Sequence, residues 1–282
     1  MTKNTFTNLL FMIATSFISA QQTYDIDANT NTQSTSIFNK NENKIKVSAK
    51  TLINPKTALI NSVELLNISI DYKMTNYNYA EQLNSFNRIA YNIGIEHEFS
   101  SKTKLNFNFN PAAGFQKDFG ASDIILLGGL EIEYHFNPKN FLKLGIQRNT
   151  IFGKTQILPT ITFHHQVNQK LSIDAGFPST SFSYSNNARN QFIYTTSFSG
   201  SSYNIDQSPF SNKLTTLSKV EFSNLNTQLE YERNVDSNWY LNLKGGYDFN
   251  KKFIAIDQKN NLLNDLNNSK GYILSFGIKY KL

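Results

Sequence analysis

The chain has 282 residues, a formal net charge of +6 and no cysteine. That length suits a single large all-β domain, and the missing thiols exclude disulfides, thiolate metal sites, cysteine nucleophiles and a lipidated cysteine anchor. Lys and Arg are scattered rather than gathered into a basic run or helix, so the positive charge does not point to nucleic acid.

Met1 to Ala20 reads as a secretory signal peptide: Lys3 supplies the positive end, Leu9 to Ile18 the apolar stretch, and Ser19-Ala20 the small residues before Gln21. It is too short for a spanning helix, which needs about 20 apolar residues. No later segment qualifies, so a secreted chain that stays in a membrane must do so as a barrel. The mean hydropathy of −0.40 does not contradict this, because a barrel alternates lipid-facing and lumen-facing residues. The 23 Phe and 14 Tyr suit strands and interfacial girdles. Residues 21–43, rich in Asn, Thr and Gln, read as a loose polar periplasmic arm, leaving 44–282 for the barrel.

From Val63 onward, segments in which every second residue is apolar recur at the length of a tilted crossing strand, about 9 to 11 residues. The first sets Leu66, Ile68, Ile70, Tyr72 and Met74 toward lipid and Asn67, Ser69, Asp71 and Lys73 toward the lumen. The second sets Ile89, Tyr91, Ile93, Ile95 and Phe99 against Asn92, Glu96 and Glu98. Leu105, Phe107 and Phe109 oppose Asn106, Asn108 and Asn110. Ile124, Leu126, Leu130, Ile132, Tyr134 and Phe136 oppose Glu131, Glu133 and His135. The last strand sets Leu274, Phe276, Ile278, Tyr280 and Leu282 against Ser275, Lys279 and Lys281.

Connections sort into short turns (Ser100–Thr103, Asn137–Asn140, Asn168–Lys170, Asp236–Asn238) and longer polar loops (Thr75–Asn87, Gln116–Ser122, Asn149–Thr155, Ile205–Thr216, Asn250–Ser269). This sorting fits a barrel with periplasmic turns and extracellular loops. The expected fold is therefore an all-β, transmembrane, antiparallel up-and-down barrel. The preferred count is about 12 strands, with Ser179–Ser185 as its own strand. The alternative is 14, reached if Ile45–Leu52 crosses and residues 21–43 supply its partner.

Candidate functional residues are the lumen-facing charges. They are Asp71, Lys73, Glu96, Glu98, Glu131 and Glu133, then Lys143, Asp174, Glu230, Glu232, Lys244 and Lys279. Their signs interleave, and hairpin register sets Glu133 near Lys143 and Glu230 near Lys244. That pattern means mutual pairing in a narrow or plugged interior rather than a ring of one sign selecting ions. Of the four histidines, His97 and His165 face lipid while His135 and His164 face the lumen. They do not converge, so no metal is expected. A phospholipase-type barrel would need Ser and His together at the extracellular edge, and these histidines adjoin the short turns instead. No cofactor, catalytic residue or enzymatic activity is expected.

Gly176-Phe177-Pro178-Ser179-Thr180-Ser181-Phe182-Ser183-Tyr184, with Asn187, Arg189, Asn190, Phe192, Gly200 and Tyr203, and upstream Phe152-Gly153 and Ile157-Leu158-Pro159, resembles an uncharacterised family of outer-membrane barrels from Bacteroidota, a domain of unknown function. The resemblance covers Ile68 to Leu282, and it departs at Ser179, where a basic residue is expected. It implies the cell outer membrane and no assigned activity. The expected function is a structural role or a narrow pore for small solutes. Adhesion through the long loops is the alternative, and a lipid-processing enzyme is a more distant one. The expected partners are outer-membrane lipid and the barrel-assembly machinery during insertion.

Overall fold

A computed structural model describes residues 22–74, 83–206, 217–265 and 270–282, with the side chains of residues 250 and 251 left aside. The expected signal peptide, 1–20, lies outside the described residues, as do 75–82, 207–216 and 266–269 of the expected loops. Fifteen strands are described: β1 (Gln22–Thr35), β2 (Phe38–Asn54), β3 (Thr57–Tyr72), β4 (Ser85–Glu98) and β5 (Thr103–Phe115). Then come β6 (Ile124–Asn137), β7 (Asn140–Asn149), β8 (Gln156–Gln166), β9 (Leu171–Phe177) and β10 (Ser179–Asn187). The last are β11 (Asn190–Asn204), β12 (Leu217–Asp236), β13 (Trp239–Asp257), β14 (Leu262–Asp265) and β15 (Gly271–Lys281). No described helix is long and apolar enough to cross a membrane.

Every neighbouring pair is antiparallel, and the sheet closes through β12 on β13, β13 on β15 and β15 on β1. The four-residue β14 only extends the tip of β13, so the closed ring has fourteen strands. This is the alternative count, not the preferred twelve. The segment read as a polar arm supplies β1 and the start of β2, which pair with each other from Gln22↔Thr51 to Ser34↔Asn39. The start of β1 and the last residue meet where Leu282 N–H donates to Tyr24 O at 2.9 Å and Tyr24 N–H to Leu282 O at 3.3 Å. Closure gives each of the fourteen described ring strands a partner on both sides and leaves the short β14 paired on one side alone.

One end of the barrel carries only short turns, six of them among the described residues, and five share a local signature. Asn54-Pro55-Lys56, Ser100-Ser101-Lys102, Asn137-Pro138-Lys139, Asn168-Gln169-Lys170 and Asn187-Ala188-Arg189 each place a side-chain oxygen two residues before a basic residue. That oxygen accepts the basic residue's backbone N–H at 2.8 to 3.2 Å, the local bond that makes Asn and Ser turn formers. The consequence is a collar of exposed cations at this end.

Outward residues form an apolar belt whose exposure makes sense only in an apolar solvent: Leu274 is 69% exposed, Ile157 68% and Leu243 53%. Toward the long-loop end the faces exchange character. On β3, Val63 and Leu65 point outward while Glu64 points inward. One turn of the pleat later Asn67, Ser69 and Asp71 point outward, and Ile68 and Ile70 are buried inside. The same exchange occurs on β2 at Ile45/Asn43, on β4 at Ile89/Asn87 and on β12 at Leu225/Ser223, matched by register through Asn43↔Asn67 and Asn67↔Asn87. β2, β3, β11, β12 and β13 have 17, 16, 15, 20 and 19 residues, more than the about 9 to 11 that a crossing needs. Their upper ends therefore project past the belt, where the outside is wet and the inside can be dry.

Candidate functional site

The lumen is built in three layers. Nearest the short turns are ion pairs. Glu133 takes Lys143 at 3.4 Å and lies 2.7 Å from His135 Nε2, and Glu230 takes Lys244 at 3.0 Å. Lys279 bridges Glu230 at 3.1 Å and Glu232 at 2.6 Å, and Lys281 closes on Glu232 at 3.0 Å. Glu96 pairs with Lys50 at 2.6 Å and Glu98 with Lys104 at 3.5 Å. Glu131 takes no cation among the described residues; it accepts from Gln147 and Thr160. Asp174 lies 2.7 Å from His164 Nδ1, and Ser181 donates to it at 3.4 Å.

Ten of the twelve expected charges thus lie on the lumen face. Asp71 and Lys73 do not. Asp71 sits opposite Asn39 on the outer face of the projecting strands and is exposed. Lys73 follows β3 and ties down the β1–β2 tip, its ammonium donating to Thr35 O at 2.6 Å and Ser34 Oγ at 3.2 Å. Alternation separates the two faces of β3, but Leu66, Ile68, Ile70 and Tyr72, expected toward lipid, point inward, because this part of β3 stands beyond the apolar belt.

The middle layer is a cavity of about 390 Å³. Its walls are amides and hydroxyls from β1 (Asn29, Asn31, Gln33), β11 (Ser197, Ser199, Ser201) and β12 (Asn224, Asn226, Gln228). Charges on this wall are internally compensated: Lys40 holds Glu42 at 2.7 Å and Arg88 holds Glu64 at 2.9 Å. The β1 and β2 members are not among the expected residues, because the preferred reading takes residues 21–43 for a polar arm and counts its crossing strands from Val63.

The third layer is an apolar septum across the lumen. Phe38, Ile68, Ile70 and Phe86 from β2 to β4 meet Tyr203, Val220, Phe222 and Phe253 from β11 to β13. Ring centroids lie 5.4 Å apart for Phe38–Phe253, 4.4 Å for Phe222–Phe253 and 5.6 Å for Phe86–Phe222. Phe38 and Phe86 are completely buried. A second contact pulls opposite walls together: a Cβ on Gly114 of β5 would sit 2.4 Å from Ser202 O on β11, so only glycine permits the approach. Above it, the β5–β6 loop is laced to the end of β11. Asp206 accepts Lys117 and Asp118 N–H at 3.1 and 3.4 Å, and Asn204 donates to Asp123 at 2.8 Å and to Ser122 O at 3.0 Å.

The histidines divide as expected. His97 bonds Thr57 and His165 bonds Asn140 on the outer side, while His135 and His164 bond inward carboxylates. Among the described residues no cluster of three metal-ligating side chains occurs.

Residues 6–281 match a family described as a domain of unknown function, DUF6268. The chain belongs to that family. The match is likewise to a domain of unknown function; it covers the segment around Phe177-Pro178 and extends to the first strands. No curated protein matches the chain. Among solved structures it is similar to an outer membrane channel from Pseudomonas putida F1, with 9% identity over 93% of this chain and 95% of that one and a TM-score of 0.47. A FadL homologue from Pseudomonas aeruginosa shares 9% identity over 92% of this chain and 89% of that one, TM-score 0.46. The translocator domain of the autotransporter NalP from Neisseria meningitidis shares 9% over 98% and 95%, TM-score 0.43.

Proposed function

We propose that this family member resides in the outer membrane of a Bacteroidota cell and forms a narrow, gated passage for small polar solutes, with no enzymatic activity. The observation that carries the reading is the order of layers inside a closed ring: a charge-compensated lumen leads to a polar cavity and ends at an aromatic septum. Apolar constrictions of this kind gate by excluding water. The short-turn end, with its basic collar, faces the periplasm and its lipid headgroups, and the long loops face outward. Outer-membrane lipid is the barrel's solvent, and the barrel-assembly machinery inserts it. Against hydrolysis stands the order of the Ser181–Asp174–His164 arrangement. Asp174 lies between Ser181 and His164, so the imidazole is not presented to the hydroxyl it would have to activate.

The test is conductance in planar bilayers. The native protein is expected to stay shut with rare small openings, and the Phe86→Ala, Phe222→Ala double variant to show steady ohmic current, because two of the rings that exclude water are gone. If the refolded double variant passes no ions, the passage does not exist and the barrel is a structural element.

A further inference from the structure

We infer that the cavity under the septum is a binding site for an uncharged, hydroxyl-rich solute of monosaccharide to disaccharide size. This rests on the proposed passage and names the solute class that it selects. The volume of about 390 Å³ falls at the lower end of the range of small-ligand sites, about 300–1,000 Å³.

The chemistry of the wall decides the class. A charged ligand would need an uncompensated countercharge, yet Lys40, Arg88, Lys244 and Lys252 on this wall each already hold a carboxylate, at 2.7, 2.9, 3.0 and 2.5 Å. Lys44 and Asp248, the remaining lining charges, are of opposite sign, and Asp248 accepts from the Asn224 amide at 2.7 Å. What the wall offers instead are groups that both donate and accept. Ser197 donates to Asn226 Oδ1 at 3.2 Å, Asn226 donates to Ser199 Oγ at 3.3 Å, and Gln228 donates to Asn226 Oδ1 at 2.9 Å. Each amide has two donors and two acceptor positions, and each hydroxyl both donates and accepts. Such a mesh complements a ring of hydroxyls, which are themselves donors and acceptors, better than it complements an ion or a hydrocarbon.

A second, independent observation points to a ligand donor. Asn31 spends its N–H on Glu42 at 3.1 Å, but its carbonyl oxygen, with less than 1 Å² accessible, has no partner. A buried acceptor without a donor is costly; Asn31 lines the cavity, and a turn of its amide toward the lumen would bring that oxygen to an O–H of the solute.

The experiment is a saturation-transfer NMR titration of glucose and maltose into the refolded full chain, held in a detergent without a sugar headgroup, with glutamate and choline as charged comparisons. Saturable binding of at least one sugar near the millimolar range is expected. It should weaken roughly tenfold in Asn31→Leu, which removes the orphan acceptor and an amide from the wall. Ser199→Ala, a smaller deletion that folds where Asn31→Leu fails to, should weaken it severalfold. No saturation with either sugar, tighter binding of glutamate or choline, or sugar binding unchanged in the variants overturns the inference. Current through the septum variant without sugar binding overturns this inference alone. Sugar binding without current in that variant overturns the passage.

Discussion

Lys279 is held between two carboxylates that few other cations reach, and its loss is the most damaging single change in the ion-pair layer. Lys279→Met would leave Glu230 and Glu232, both largely buried, with Lys244 and the half-exposed Lys281 as their remaining cations. Breaking such a buried network costs about 3 kcal/mol, whereas Lys50→Met breaks a pair exposed at 44% and 32% and costs less than about 1 kcal/mol. Urea midpoints of the two refolded variants measure the difference, and equal midpoints would contradict it. The Glu230–Lys244 and Glu133–Lys143 pairs were readable in the sequence, because the short turns at 236–238 and 137–140 fix hairpin register. Lys279 between two glutamates was not readable. It depends on β15 docking beside β13 across the long segment that includes β14. Asp71 was misplaced for a different reason: a period of two separates faces without saying which one is inside.

Among the elements, the contact between β5 and β11 sets the height at which the lumen shuts. Gly114→Val would force the two walls apart, since the added carbons meet Ser202 O at 2.4 Å, an overpacking cost of about 1–3 kcal/mol. Asp206→Ala removes the acceptor for two loop N–H groups without touching the wall. Both should expose Gln116–Asp123 to added protease on folded, reconstituted protein, Gly114→Val with raised conductance and Asp206→Ala without it. Unchanged cleavage in both would show that the lacing does not hold the loop. Elements with a local code were visible from sequence. The turns at 100–103, 137–140 and 168–170 are legible there, as is a turn anchored by Arg189, and the unlisted turn at Asn54–Thr57 carries the same Asn/Ser-x-basic signature. β1 has no comparable mark. Its outward face changes from Ile26 and Ala28 to Thr30, Thr32 and Ser34, while its inward face supplies the cavity amides, so it reads as polar on both sides.

On the scale of the whole molecule, β1 decides the architecture. Without it and β2 the ring has twelve strands; with them it has fourteen, closed by the eleven-residue register from Asp25↔Lys281 to Thr35↔Gly271. Sequence periodicity carried the all-β class, the short-turn end and most of the lumen charges. It could not carry the septum, because an apolar inward face beyond the membrane looks, residue by residue, like an apolar lipid face within it. The chain's lack of cysteine makes one introduced thiol unique, and labelling it on living cells tests the membrane placement most directly. Asp71→Cys and Lys102→Cys are treated with a membrane-impermeant maleimide before and after the outer membrane is opened. Labelling of Asp71→Cys on intact cells, and of Lys102→Cys only after opening, is the expected result. Labelling of Lys102→Cys alone on intact cells would reverse the orientation, and recovery of both variants in the soluble periplasm would contradict an outer-membrane barrel altogether.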